Sequence, residues 1–267
     1  MNVSRNAKEV FRHLLLRSGL NRAYLAFRAA KGQNVQHLRA RTLRDRFSTI
    51  YRNRVWLTGR PAGSLSGLGS ELENTKAIRL RLPELLARLN TKTMLDVGCG
   101  DFNWMSQLEL GCRYIGVDVV SCVIEQNIRN YAAANRTFFA LDATTDPLPP
   151  ADTILCREVF FHLSFADIWA LIRNMRLSGV STMFATNDAV TDFNADILSG
   201  DFRLLNLTKP PFCFPRSELS IPDDEVSPGR VLAAWRLSDV PQRGSPEMRK
   251  GNAAPQFYWR THFRTGK

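Results

Sequence analysis

Three acids, Asp96, Asp118 and Asp142, each close a short apolar run and recur at nearly even intervals. The first lies in a strand pattern, Met94 to Val97, that runs straight into a glycine-broken turn, Gly98-Cys99-Gly100-Asp101. Glycines let a backbone approach a ligand closely, and a helix pattern opening at Phe102 would add unpaired N–H groups beside it. An acid at the tip of a second strand, Arg113 to Val120, can accept hydrogen bonds from both hydroxyls of a ribose. That role falls to Asp118, with Val119 beside it. Asp142 and Ala143 end a third strand pattern, Thr137 to Thr145, where side chain and backbone can meet the amino edge of an adenine. A strand-end Asp taken singly is an ordinary turn residue. Three at successive strand tips, with the glycine turn on the first, point together to a nucleotide-like ligand.

A dinucleotide site fits this turn poorly. Its fingerprint places a third glycine three residues after the second, where strand and helix pack closely. That position is Asn103, flanked by Phe102 and Trp104. A pyrophosphate also favours a turn without negative charge, and Asp101 lies inside this one. Asp96 and Asp101 suit a cationic ligand with an amino acid end better than a dianion.

On these residues the sequence resembles the class I S-adenosylmethionine-dependent methyltransferases. The matching stretches are DVGCGDF (Asp96 to Phe102), IGVD (Ile115 to Asp118), LDATTDPLP (Leu141 to Pro149) and ILCREVFFHL (Ile154 to Leu163). A bacterial subgroup, many members of which have unassigned substrates, is similar in SGLGS (Ser66 to Ser70), CGDFNWM (Cys99 to Met105) and FHLSFADI (Phe161 to Ile168). The resemblance extends more loosely from about Phe47 to about Val240. It implies S-adenosyl-L-methionine as cofactor, with Asp96, Gly98, Cys99, Gly100 and Asp101 around its amino acid end. It also implies Asp118 and Val119 at the ribose, and Asp142 and Ala143 at the adenine. The sequence departs from the family at Phe102, where many members carry a third glycine.

In an open α/β sheet, ligands lie beyond the carboxyl ends of the strands. The fourth strand, Thr153 to Val159, delivers Arg157 and Glu158 there, and His162 follows. The fifth, Ser181 to Thr186, leads to Asn187 and Asp188. Methyl transfer from a sulfonium needs the acceptor lone pair aligned behind the methyl carbon, with water excluded. A hydroxyl acceptor must also lose a proton, and His162 has the best intrinsic pKa for that, with Asp188 and Glu158 as alternatives. The plainer reading of His162 is a helix-start side chain hydrogen-bonded to backbone. Arg157 borders the cofactor, holds a substrate anion or pairs with Glu158.

The acceptor is read by elimination. Nucleobase N-methylation often uses an Asn/Asp-Pro-Pro-aromatic turn after the fourth strand, and Cys156-Arg157-Glu158-Val159 stands there instead. Pro210-Pro211-Phe212 comes too late. The expected acceptor is a hydroxyl on a small molecule, sugar or glycolipid. Trp104, Phe160, Phe161, Phe212 and Phe214 are candidates for its wall, or core residues. Asp192, Asn194, Asp196 and Asp201 are candidates to bind its hydroxyls, or solvate a loop. Two other classes stay open: an RNA or protein methyltransferase docking through basic termini, and a non-catalytic cofactor-binding scaffold.

Strand and helix patterns alternate, which implies a parallel sheet. The expected fold is an α/β, Rossmann-like, doubly wound and mostly parallel seven-stranded sheet, with helices on both faces and a basic helical N-terminal extension. Expected divisions are 1–60 for the extension, 61–240 for the methyltransferase domain and 241–267 for a basic, flexible tail. Helices are expected over Leu38 to Trp56, Glu73 to Leu89 with Pro83 interrupting, Ser121 to Ala134, and Phe165 to Arg176 behind a Ser164/Asp167 capping box. Phe202 to Leu207 and Arg230 to Leu237 read as a closing pair of strands.

Charge is uneven across these divisions. Residues 1–60 hold 14 Lys or Arg against 2 Asp or Glu, and residues 61–240 hold 16 against 22. Residues 241–267 hold 6 against 1, including Phe257, Tyr258, Trp259 and Phe263 among basic residues. An acidic centre disfavours a phosphate-tracking groove, so nucleic acid is the less favoured partner. The N-terminal helices pack on the core with solvated arginines, lie on an anionic membrane surface, or mimic a transit peptide. The five scattered cysteines form no CxxC pair and read as reduced thiols in a cytoplasmic protein, with no metal site.

Overall fold

The computed structural model describes residues 3–57 and 63–243. Residues 244–267 of the predicted tail, and the first residues of the loop from Pro61 to Ser70, lie outside those described.

Seven strands form one sheet: β1 (Thr93–Val97), β2 (Arg113–Asp118), β3 (Arg136–Ala140), β4 (Thr153–Cys156), β5 (Thr182–Asp188), β6 (Leu219–Pro222) and β7 (Arg230–Arg236). Their order is β3-β2-β1-β4-β5-β7-β6, with β1 to β5 parallel and β7 antiparallel between β5 and β6. The strand order reverses between β1 and β4, which opens a crevice at their carboxyl ends.

Side-chain alternation sorts the core onto the two sheet faces. Leu95, Val97, Ile115, Val117, Ile154 and Cys156 pack against α6 (Phe165–Leu177). Met94, Tyr114, Phe138, Leu155 and Phe184 pack on the opposite face, against α4 (Lys76–Arg88) and Ile124 of α5 (Ser121–Tyr131). Helices therefore cover both faces. Half of the capping box forms: Asp167 N donates to Ser164 Oγ at 3.1 Å, but Ser164 N donates to Ser199 Oγ at 2.7 Å, and Asp167 accepts from Ser164 Oγ at 2.8 Å instead.

Three local expectations give way. Pro83 lies inside α4 without ending it, because Ile78, Leu82, Leu85 and Leu86 bury one helix face continuously. No α-helix opens at Phe102: a turn leads to one 3₁₀ turn, Met105–Gln107. Phe102 itself is left-handed, φ 59°, where the family has glycine. Its ring, 2% exposed, packs on Tyr114, Tyr131 and Phe138, and this burial outweighs the backbone cost. Lastly, Phe202 to Leu207 is not a strand. Single bonds pin it instead, from Arg203 N to Phe161 O, Asp188 N to Leu205 O and Leu207 N to Asn187 Oδ1. β6 takes its place in the closing hairpin.

The N-terminal region forms α1 (Val3–Arg17), α2 (Asn21–Ala30) and α3 (Leu43–Arg52), followed by a 3₁₀ turn, Val55–Leu57. Leu43, Phe47 and Tyr51 recur every fourth residue on α3, so they share one face. That face covers the carboxyl ends of the strands. No helix among the described residues is long and apolar enough to cross a membrane.

Candidate active site

A cavity opens at the crevice, between the strand tips and the N-terminal helices. Gly98, Asp118, Val119, Asp142, Ala143 and Thr144 line one part. Arg157, Glu158, Val159 and His162 line another, and Leu43, Phe47, Tyr51 and Trp56 close it from the N-terminal side.

The glycine turn is shaped by its neighbours. Gly98 is at φ 73°, and a Cβ there would lie 2.5 Å from Val159 Cγ2. Val159 already fills the space a side chain would take, so only bare backbone fits and forms a cradle at the cavity wall. Asp118 is fixed beside it, since Gly100 N donates to Oδ2 at 3.1 Å and Val120 N to Oδ1 at 2.9 Å. Burial raises its pKa to about 6, against those stabilising backbone donors. At the tip of β3, Thr144 N and Oγ1 both donate to Asp142 Oδ1, at 2.9 and 2.6 Å.

Four residues read as cofactor contacts stand outside the cavity lining. Asp96 shares the sheet face of Met94, not of Val97, and accepts a 2.7 Å bond from Tyr114 Oη. Burial raises its pKa to about 7. Asp101 accepts from Ser64 Oγ, Leu65 N and Ser66 Oγ at 2.6 to 3.0 Å, which latches the loop before α4 to the glycine turn. Cys99 and Gly100 are held from behind, where Asn127 Nδ2 donates to Gly100 O at 2.7 Å. These four residues shape the turn from outside.

At the β4 tip, Glu158 has a left-handed backbone, φ 61°, and its N–H donates to Thr186 Oγ1 at 2.8 Å. Its carboxylate pairs with Arg230, and Arg157 pairs with Asp223 at 2.7 Å. Arg157 also donates to Gly69 O at 2.7 Å. Arg157 and Glu158 form the polar end of the cavity, and their partners Asp223 and Arg230, which stand outside the lining, were not legible in the sequence. They come from the closing hairpin, whose position in the sheet the sequence did not reveal.

The candidate bases separate cleanly. Asp188 is fully buried outside the lining, with Thr191 Oγ1 donating to its Oδ1 at 2.9 Å. Its strand end turns it toward the 189–207 segment and away from the cavity. Glu158 is committed to Arg230. His162 lies in the cavity, its ring 4.9 Å from that of Trp56. Its Nδ1 is 3.0 Å from the carbonyl of Asp201, so Nδ1 carries the proton and Nε2 keeps its lone pair. Burial lowers its pKa, with Glu158 opposing, so the ring is neutral at neutral pH.

The expected aromatic wall is elsewhere. Phe160, Phe161, Phe212 and Phe214 are core residues, and Trp104 packs over Arg157. Phe47, Tyr51 and Trp56 line the cavity in their place. The insert acids also serve structure: Asp201 pairs with Arg28, Asp196 accepts from Phe165 N, and Asn194 donates to Asn206 O.

Residues 94–178 match the methyltransferase domain family. That stretch of the chain is a methyltransferase domain. Among curated proteins none matches it. Among solved structures, it is similar in fold to the 1,6-didemethyltoxoflavin-N1-methyltransferase of Burkholderia thailandensis, with a TM-score of 0.51 at 15% identity. That match covers 73% of this chain and 86% of the other. The N-methyltransferase NodS of Bradyrhizobium japonicum gives a TM-score of 0.42 at 18% identity, over 62% of this chain and 98% of that one.

The cavity of this methyltransferase fits S-adenosylmethionine on its own geometry. Gly98 lines it with bare backbone, and Asp118 presents a fixed carboxylate suited to ribose hydroxyls. Asp142, Ala143 and Thr144 line it beyond the end of β3.

Proposed function

We propose that this methyltransferase O-methylates a hydroxyl on a small molecule, sugar or glycolipid, with His162 as general base. The observation that carries the proposal is the His162 tautomer: Nδ1–H is spent on the Asp201 carbonyl, which leaves Nε2 unprotonated on a ring that lines the cavity. When bound, S-adenosylmethionine supplies an electrophilic methyl group. Gly98, Asp118, Val119, Asp142 and Ala143 hold it. Nε2 accepts the proton of the acceptor hydroxyl as its oxygen becomes nucleophilic, and the Asp201 carbonyl steadies the imidazolium.

Phe47, Tyr51 and Trp56 orient the acceptor and exclude water from the reacting oxygen. An aromatic wall beside a polar end suits a sugar ring, which has apolar faces and hydroxyl edges. We place the enzyme in the cytoplasm.

The test incubates the full chain with labelled methyl donor and a fractionated extract. The reading expects label in a lipid or glycan fraction, as an ether that resists mild base. His162→Ala should lower turnover at least about 100-fold, with unchanged calorimetric affinity for S-adenosylhomocysteine. Label confined to RNA, protein or an amine, or full turnover by His162→Ala, would overturn it.

A further inference from the structure

The helices before the cavity present a surface that the methyltransferase reaction does not use. On α1, Phe11 and Leu14 are each 57% exposed; on α2, Phe27 is 56% exposed, and Leu20 just before it is 49% exposed. Ala23, Ala26 and Ala30 are exposed too, and with Phe27 they occupy one continuous face of α2 at helical spacing. Exposed Lys8, Arg17, Arg22 and Lys31 border these apolar positions. Apolar helix faces edged with basic side chains are suited to the boundary between lipid headgroups and acyl chains.

A second feature lies at the edge of the same face. Asn21 and Arg22, at the start of α2, line a depression with Arg39 and Arg46, and no carboxylate belongs to its lining. Arg46 is anchored by donating Nε to Ala40 O at 2.8 Å and Nη1 to Ser199 O at 2.9 Å. Of the neighbouring acids, Asp201 is engaged by Arg28, and Asp167 by Ser164 and Ser199. Asp167 is the acid that acts on Arg46, and it is already bonded to both serines, so the three guanidiniums form a receptor for a phosphate group.

We propose that α1 and α2 dock this protein on a bilayer containing anionic phospholipid. Phe11, Leu14, Leu20 and Phe27 enter the acyl boundary, and the Arg22–Arg39–Arg46 depression takes a lipid phosphate. The inference holds whatever the methyl acceptor is. Charge alone would attract any polyanion, so the exposed phenylalanines distinguish a bilayer from nucleic acid.

Sedimentation with vesicles provides the test, using the full chain. Vesicles of phosphatidylcholine and phosphatidylglycerol in equal parts should carry the protein down, and pure phosphatidylcholine should not. Arg22→Glu and Arg39→Glu should each weaken partition at least about fivefold. Phe27→Asp should weaken it at least about tenfold. Each variant should retain wild-type affinity for S-adenosylhomocysteine, which certifies the fold. Failure to sediment with the mixed vesicles at low salt would overturn the proposal. So would equal partition of Phe27→Asp, or single-stranded RNA bound equally by wild type and Phe27→Asp and displacing the vesicles.

Discussion

Arg157 and Asp223 meet through a single 2.7 Å hydrogen bond that ties the tip of β4 to the end of β6. Both side chains are almost fully buried, and their remaining Nε and Oδ2 atoms have no hydrogen-bond partner. Removing one partner leaves the other charge stranded. Asp223→Ala is expected to cost about 3–5 kcal/mol of stability. Urea unfolding followed by circular dichroism measures it; a loss under about 1 kcal/mol would show that Arg157 is neutralised elsewhere.

Phe102 allows an unusual comparison of two small residues. Truncating a buried aromatic costs about 3–5 kcal/mol. In ordinary backbone the alanine variant is the more stable of Ala and Gly. At φ 59° the order should invert, with Phe102→Gly more stable than Phe102→Ala by about 1 kcal/mol. Thermal melts of the two variants decide it.

The cradle at Gly98 predicts a binding defect without loss of fold. Gly98→Ala adds a methyl group against Val159 in a left-handed backbone. Affinity for S-adenosylhomocysteine should fall at least about tenfold by calorimetry, about 1.4 kcal/mol. Val159→Ala makes space but leaves the backbone strain, so the double variant should recover only part of the loss.

Asp96 gives stability a specific pH dependence. Its pKa rises from the ordinary carboxylate range to about 7 on folding, chiefly by burial. The folded state therefore binds the proton more tightly, and its contribution to stability is lost as pH rises through about 7. Asp96→Asn removes that titration. Relative to wild type, the variant should gain stability as pH rises from about 4 to about 7, with little relative change below or above that range. Melting temperatures of both proteins across that range provide the check.

The strand tips were legible because each combines a local apolar run with a glycine or an acid. The parallel sheet, the Ser164 helix cap and the placement of Asp118, Asp142, Glu158 and His162 followed from such short-range patterns. Asp96 and Asp101 were harder to read, since a carboxylate that latches a turn has the same sequence context as one that faces a ligand. Only the alternation of β1 and the serines at 64 and 66 distinguish them. Phe47 and Tyr51 stand four residues apart on α3, but spacing does not say whether a face meets core or cavity. Asp223 and Arg230 depend on β7 pairing with β5, a long-range choice that no local signal carries.

The segment from Leu43 to Trp56 precedes the first strand by some distance in the chain, yet it supplies the roof over that strand's carboxyl end. A fragment cut to the borders of the family match would keep the floor and lose the ceiling. Its substrate chamber would stand open to bulk water, with His162 stripped of the indole beside it.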